Sequence, residues 1–187
     1  RAGDALVVAT VGNCAAVKNH AAVIGALARL PEVVYLHVGC EDEERKERAL
    51  AERLGVADRV RFLGMVTDLR EVFREVDLFV MPSLHEGFGV AAVEAMGAGV
   101  PVLLADVKGL RDFRKWSAAV RYCAPDEAGV ERGVREFLAL GAEERAAIGV
   151  ALSEMAHREF GARAGAARYA ALYRGERAAG VGREVTA

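Results

Sequence analysis

A chain of 187 residues with 53% hydrophobic content is long enough to bury the core of one generous α/β domain. Charged residues make up 28% and nearly cancel, to a net charge of −2, so the basic face that a nucleic-acid partner demands is missing. No run of eighteen apolar residues is present to span a membrane, and nothing reads as a signal peptide. The expectation is a cytoplasmic protein, at most peripheral at a membrane in its full-length form.

The chain opens RAGDALVVATVG, without an initiator Met, and enters an apolar run after a few polar or small residues. That start reads as a linker entering a domain, so residues 1–187 are expected to be one domain of a longer protein. Cys14, Cys40 and Cys123 are widely spaced with no C-x-x-C, which reads as reduced thiols rather than a disulfide frame or a zinc site.

Along the chain, short apolar runs alternate with helical patterns. Leu6–Val11 reads as a first strand, followed by the loop GNCAAVKNH and an amphipathic helix that Pro31 ends. Residues 33–39 read as the second strand. The charged stretch EDEERKERALAERLG reads as a helix closing on Gly55. A third strand spans 59–64, and a helix over 68–77 starts on Asp68, with Glu71 as its capping-box partner. Residues 78–83, 100–106 and 119–124 complete about six strands, and a helix ending at Gly97 follows the fourth. Beyond Asp126 the reading is helical over 131–140, 143–160 and 162–174, with a frayed glycine-containing tail.

Strands that are apolar at nearly every position are buried on both faces. Separated by helices, they predict a doubly wound, mainly parallel, Rossmann-like sheet. In such sheets ligands bind at the carboxyl ends of the strands. The loops GNCAAVKNH, GMVTD and SLHEGFG all follow strands, so all three are expected at that one edge.

The third of these loops carries the chemistry. Gly87 and Gly89 flank Phe88 at a helix entrance, where free backbone N–H groups and the helix dipole favour an anion. A phosphate would repel Glu86, so its suited partners are hydroxyls. Glu94, inside the apolar run VAAVEAM, would cost stability unless paired or reaching a ligand. Lys18, near the start of the first helix, can neutralise a diphosphate. Each feature also has a plain reading. Gly-x-Gly is common before helices in α/β loops, and lone lysines and helix glutamates are usually solvated. His20 reads as a packing residue, His85 stays open between packing and site, and Cys14 has no activating neighbour in sequence.

The order VGN....KN, VRFLG and DLFVMPSLHEGFGVAAVEAMGAGVPVLLAD resembles the donor-binding half of the retaining GT-B-fold glycosyltransferases. That large group is defined by two glutamates with seven residues between them. The likeness runs from about Leu6 to Ala105. It implies that Glu86 contacts the donor sugar's hydroxyls and that the turn Gly87, Phe88, Gly89 and Val90 approaches sugar and diphosphate. Glu94 would hold the ribose hydroxyls, Lys18 the diphosphate, and Met65 and Val66 would border the nucleobase. Lys18 and Glu86 would be the catalytic residues.

The resemblance further implies a nucleoside-diphosphate sugar as donor, no metal and no cofactor. A separate N-terminal domain would bind the acceptor, and without it the domain would be inactive. Two departures stand out. Asn13 occupies the place of the family's usual arginine, and VKGLRDF keeps only Gly109 of a Gly-Gly pair, with Asp112 nearby. A nucleotide-sugar epimerase of the same architecture and a non-catalytic nucleotide- or sugar-binding module are the alternatives. A dehydrogenase is disfavoured because no G-x-G-x-x-G follows the first strand.

Overall fold

The structure is a computed structural model and describes residues 5–175. The linker reading of the first four residues and the frayed tail after Gly175 lie outside the described residues. Six strands form one parallel sheet: β1 (Leu6–Val11), β2 (Val33–Val38), β3 (Val60–Phe62), β4 (Leu78–Met81), β5 (Val102–Ala105) and β6 (Arg121–Cys123), in the order β3-β2-β1-β4-β5-β6. This is the expected doubly wound, Rossmann-like α/β sheet. Strand β1 has the bounds its apolar run predicts, and the other five are one to three residues shorter than theirs, because those runs continue past the ladder into the loops.

Strand β4 shows why the sheet needs helices on both faces. Leu78 and Val80 join one buried cluster with Ile24, Leu27, Tyr35 and Phe137. Phe79 and Met81 join the other, with Phe73, Met96, Leu104, Phe113 and Met155. Successive side chains leave opposite faces of a strand, so an unbroken apolar run is soluble only when both faces are covered.

The covering helices are α1 (His20–Leu27), α2 (Lys46–Arg53), α3 (Leu69–Phe73), α4 (Val90–Gly97), α5 (Glu127–Leu138), α6 (Ala142–Phe160) and α7 (Ala162–Tyr173). Helix α1 is not the amphipathic element its sequence predicts. Every residue from Ala22 to Leu27 is buried, because α2 and α5 pack against α1 in addition to the sheet. The charged stretch after β2 yields only the short α2, since Arg45 is left-handed (φ 48°) and the Asp42 carboxylate accepts the Lys46 N–H in front of the helix. Asp68 caps α3 through Arg70 N at 3.0 Å, as its residue type predicts. Helix α5 begins four residues earlier than the sequence reading, because Asp126 caps it through Gly129 N at 2.7 Å.

No helix among the described residues is long and apolar enough to cross a membrane. The three cysteines are free thiols.

Candidate functional site

Strands β1 and β4 are neighbours although two strands separate them in sequence, so the chain leaves them toward opposite sides of the sheet. A crevice at the carboxyl ends follows from that divergence. The two loops flanking it are stitched together. Leu84 N donates to Val17 O at 2.8 Å. The Asn19 side-chain amide donates to Pro82 O at 3.0 Å and to Pro125 O at 2.9 Å, joining the ends of β1, β4 and β6. Asn19 also adopts the left-handed conformation (φ 55°), which asparagine tolerates better than other non-glycine residues. In sequence its only signal is its place, an asparagine directly before the helix that begins at His20.

Lys18 and Glu86, 68 positions apart, meet at this crevice: Lys18 Nζ lies 2.7 Å from Glu86 Oε1. Ser83, fully buried at the end of β4, donates from Oγ to the same oxygen at 2.9 Å. The Lys18 side chain is 30% exposed and that of Glu86 11%, so the pair is partly withdrawn from water.

Beside it the turn enters α4. Gly89 takes φ 86°, and a Cβ there would stand 2.6 Å from Leu110 and 3.4 Å from the Met81 sulfur, so only glycine fits. Gly87 differs, because a Cβ there would meet nothing within 4 Å. The backbone at Gly87 faces open space, as a ligand-approach position requires. At the start of α4, Ala92 N and Val93 N already donate to Gly89 O, at 3.0 and 3.3 Å, which leaves the N–H groups of Val90 and Ala91 without an intrahelical acceptor.

The Phe88 ring does not reach across the crevice. Although 41% exposed, it packs at 5.5 Å from Phe113 and 5.4 Å from Phe160. One side of the ring is thus held by that aromatic cluster. Gly109, at φ 91°, approaches the turn from the β5 loop, and a Cβ on it would stand 2.0 Å from Glu86 O. Asp112 pairs with Lys115 at 2.8 Å. His85 is exposed.

Glu94 lies in an adjoining cleft of about 480 Å³ with Val66, Thr67, Arg70 and Phe73. Its carboxylate is exposed, which corrects the sequence argument. Of the apolar residues around it in sequence, Ala92, Ala95 and Met96 are buried, whereas Glu94 shares the exposed side of α4 with Val90, so the charge carries no burial cost there. Met65 is 74% exposed just after β3, an apolar side chain presented to solvent at the same edge. A larger cavity of about 750 Å³, lined among others by Leu6, Pro101 and Arg145, opens at the opposite edge, where β1 and β5 begin. Size alone does not make it the site, since the α4 amino end and the Lys18–Glu86 pair lie at the other edge.

Beneath the β1 loop runs a buried polar relay. A carbonyl can only accept, so His20 Nε2 donates to Asn13 O at 3.3 Å. Nδ1 of a neutral ring then accepts from Thr10 Oγ1 at 3.1 Å, and Thr10 in turn accepts from the Tyr35 hydroxyl at 2.6 Å. Burial, followed by the nearby His37, lowers the His20 pKa to about 4. His37 is also lowered, chiefly by burial. Cys14 Sγ lies 3.5 Å from His37 Nε2, yet burial and the Glu47 charge push the thiol up to about 12, so it stays protonated and unreactive. Asn13 Oδ1 accepts from Cys40 N at 2.9 Å, so the side-chain oxygen is committed to the β2 loop.

The relay has a pH signature. An unfolded histidine titrates near 6.5, and the buried one only near 4. Between those values the unfolded chain binds the extra proton, so stability falls as pH drops through that window and is unaffected by this group above it. The urea midpoint should decrease from pH 7 to pH 4.5, and His20→Gln should flatten part of that slope. Identical slopes for parent and variant would show that His20 is not held neutral by the fold.

Residues 1–151 match the family described as Glycosyl transferases group 1. The chain is similar to the D-inositol 3-phosphate glycosyltransferase of Mycobacterium marinum, at 35% identity over 147 residues, covering 67% of this chain and 32% of that protein. It is likewise similar to the lipopolysaccharide core biosynthesis glycosyltransferase LpsE of Rhizobium meliloti, at 34% identity over 137 residues, 73% of this chain and 40% of that one. Among solved structures, sucrose-phosphate synthase from Thermosynechococcus elongatus superposes with a TM-score of 0.82 at 27% identity, covering 92% of this chain and 45% of the other. The chain thus spans less than half the length of each.

Proposed function

This chain belongs to the glycosyl transferases group 1 family, and on that footing we propose that residues 1–187 form the donor-binding domain of a retaining glycosyltransferase. The donor is a nucleoside-diphosphate sugar, and a separate N-terminal domain supplies the acceptor site and is needed for turnover. One observation carries the reading. A cation and a carboxylate from two loops meet at the switch point of the sheet, next to the amino end of α4. Phosphates suit the cation and the helix end, whereas sugar hydroxyls suit the carboxylate.

In this reading Lys18 and the amides from Gly87 to Val90, Phe88 and Gly89 included, receive the diphosphate. Asn13 contributes through its Nδ2 group. Glu86 accepts from the sugar hydroxyls and Glu94 from the ribose diol, across the cleft that also holds Val66. Met65, with Val66, offers an apolar edge to the base. When the glycosidic bond to the diphosphate breaks, negative charge grows on the leaving phosphate. Lys18 and the helix end stabilise that charge in the role a metal plays elsewhere, so the proposal includes neither metal nor cofactor. Both glutamates bind hydroxyls, and neither is assigned as a covalent nucleophile.

Calorimetric titration with UDP, GDP, ADP and their sugars tests the reading. Binding of one nucleotide series is expected, and no binding by any of them up to millimolar concentration would overturn it. Within that series Glu94→Gln should weaken the free nucleotide by about 1–3 kcal/mol through loss of charge-assisted hydrogen bonds. An unchanged affinity would assign Glu94 to the helix surface alone.

A further inference from the structure

We propose that the Lys18–Glu86 pair is a latch that favours the intact donor over the spent nucleoside diphosphate, with Ser83 as its positioning residue. The inference rests on the donor-binding reading above. Lys18 Nζ and Ser83 Oγ both donate to Oε1 of Glu86, at 2.7 and 2.9 Å, so one oxygen of the carboxylate is engaged twice. Among the described residues no hydrogen bond engages the other oxygen.

A diphosphate arriving alone competes with Glu86 for Lys18. The carboxylate, largely withdrawn from water, then loses its cation and gains nothing in return. An intact donor brings its own replacement, because the sugar hydroxyls donate to the carboxylate that Lys18 has left. Ser83 is buried two residues past β4 and its hydroxyl holds Glu86 Oε1, so it keeps Glu86 aimed while Lys18 changes partner. Once the sugar has gone, Glu86 again lacks a donor and competes with the diphosphate for Lys18. The pair thereby promotes product release.

The consequence is a pair of opposite signs from a single substitution. Glu86→Gln removes the competing charge and keeps the size of the side chain. It should tighten free diphosphate about three- to tenfold, the scale of a partly exposed ion pair. The same variant should weaken the corresponding nucleotide-sugar. Inorganic pyrophosphate, which has neither base nor sugar, should follow the free diphosphate. The released Lys18 should also make binding in the variant more salt-sensitive, since a cation that is no longer neutralised nearby is screened more strongly. Ser83→Ala should lower affinity for the nucleotide-sugar while leaving pyrophosphate unchanged, and Ser83→Thr should restore it.

Titrations of the chain and these variants with UDP, GDP, ADP, their sugars and pyrophosphate at two salt concentrations decide the matter. Tighter diphosphate with looser nucleotide-sugar in Glu86→Gln supports the latch. Equal or weaker diphosphate binding overturns it while the donor-binding reading stands. A parent that binds none of these ligands overturns both.

Discussion

Lys18→Ala is expected to weaken nucleoside-diphosphate binding about a hundredfold, well beyond the usual effect of an exposed lysine. A hydrogen bond to a charged group contributes roughly 1.5–3 kcal/mol, which alone corresponds to about ten- to a hundredfold. Two features of this chain push toward the upper end. The place where the family resemblance expects an arginine holds Asn13, whose side-chain oxygen is already bonded to Cys40 N. Glu86, stripped of its partner at 2.7 Å, would also present an uncompensated negative charge to the incoming phosphates. Lys18→Arg should recover only part of the loss, because the guanidinium does not reproduce the compact ammonium in that geometry. A change smaller than threefold in Lys18→Ala, with the fold intact by circular dichroism, would remove Lys18 from the site.

Gly109→Ala is expected to damage both stability and donor recognition. The residue sits at φ 91°, and an added Cβ would stand 2.0 Å from Glu86 O and 3.1 Å from Gly87 O. Both contacts are with backbone, so neither can be relieved by rotating a side chain. Left-handed strain costs about 1–2 kcal/mol and overpacking typically about 1–3 kcal/mol more. For a domain of this size that corresponds to a melting temperature lower by roughly 5–15 °C. The displaced segment carries Glu86, so affinity for the nucleotide-sugar should fall further than affinity for the free nucleotide. Val107→Ala, in the same loop, is the control. A Gly109→Ala protein with parental melting temperature and parental donor affinity would show that the β5 loop does not hold the turn.

Much of this architecture can be read from residue patterns. Apolar runs without alternation, such as Leu78–Met81 and Val102–Ala105, imply strands covered on both faces, and both are buried throughout. Parallel strands then send every following loop to one edge, which is why Lys18 and Glu86 could be expected in the same region from their places after β1 and β4. What could not be read is how those loops touch. The ion pair, the Ser83 hydrogen bond and the close approach of Gly109 to Glu86 all depend on loop conformation set by distant neighbours. Asn19 illustrates the same limit, since its two acceptors are carbonyls 63 and 106 positions away.

The errors are informative too. Helix α1 looks amphipathic only if a wide face is assumed to meet water, and packing of α2 and α5 beside it leaves Ala22–Leu27 buried throughout. The stretch before α2 has helix-forming residues throughout. A left-handed Arg45 and the Asp42 carboxylate nevertheless hold its first residues in turns. Glu94 raised the opposite problem: an apolar neighbourhood in sequence is not an apolar neighbourhood in space, because α4 turns its glutamate away from the buried side.

The central claim is that the diphosphate of a nucleotide-sugar lies between Lys18 and the amino end of α4. A crystal structure of this chain with the nucleotide that binds most tightly in the titrations tests it most directly. The account predicts phosphate oxygens within hydrogen-bonding distance of Lys18 Nζ and of the amides from Gly87 to Val90, with the ribose diol on Glu94. A nucleotide found instead at the opposite edge of the sheet, in the cavity beside Leu6 and Arg145, would contradict it.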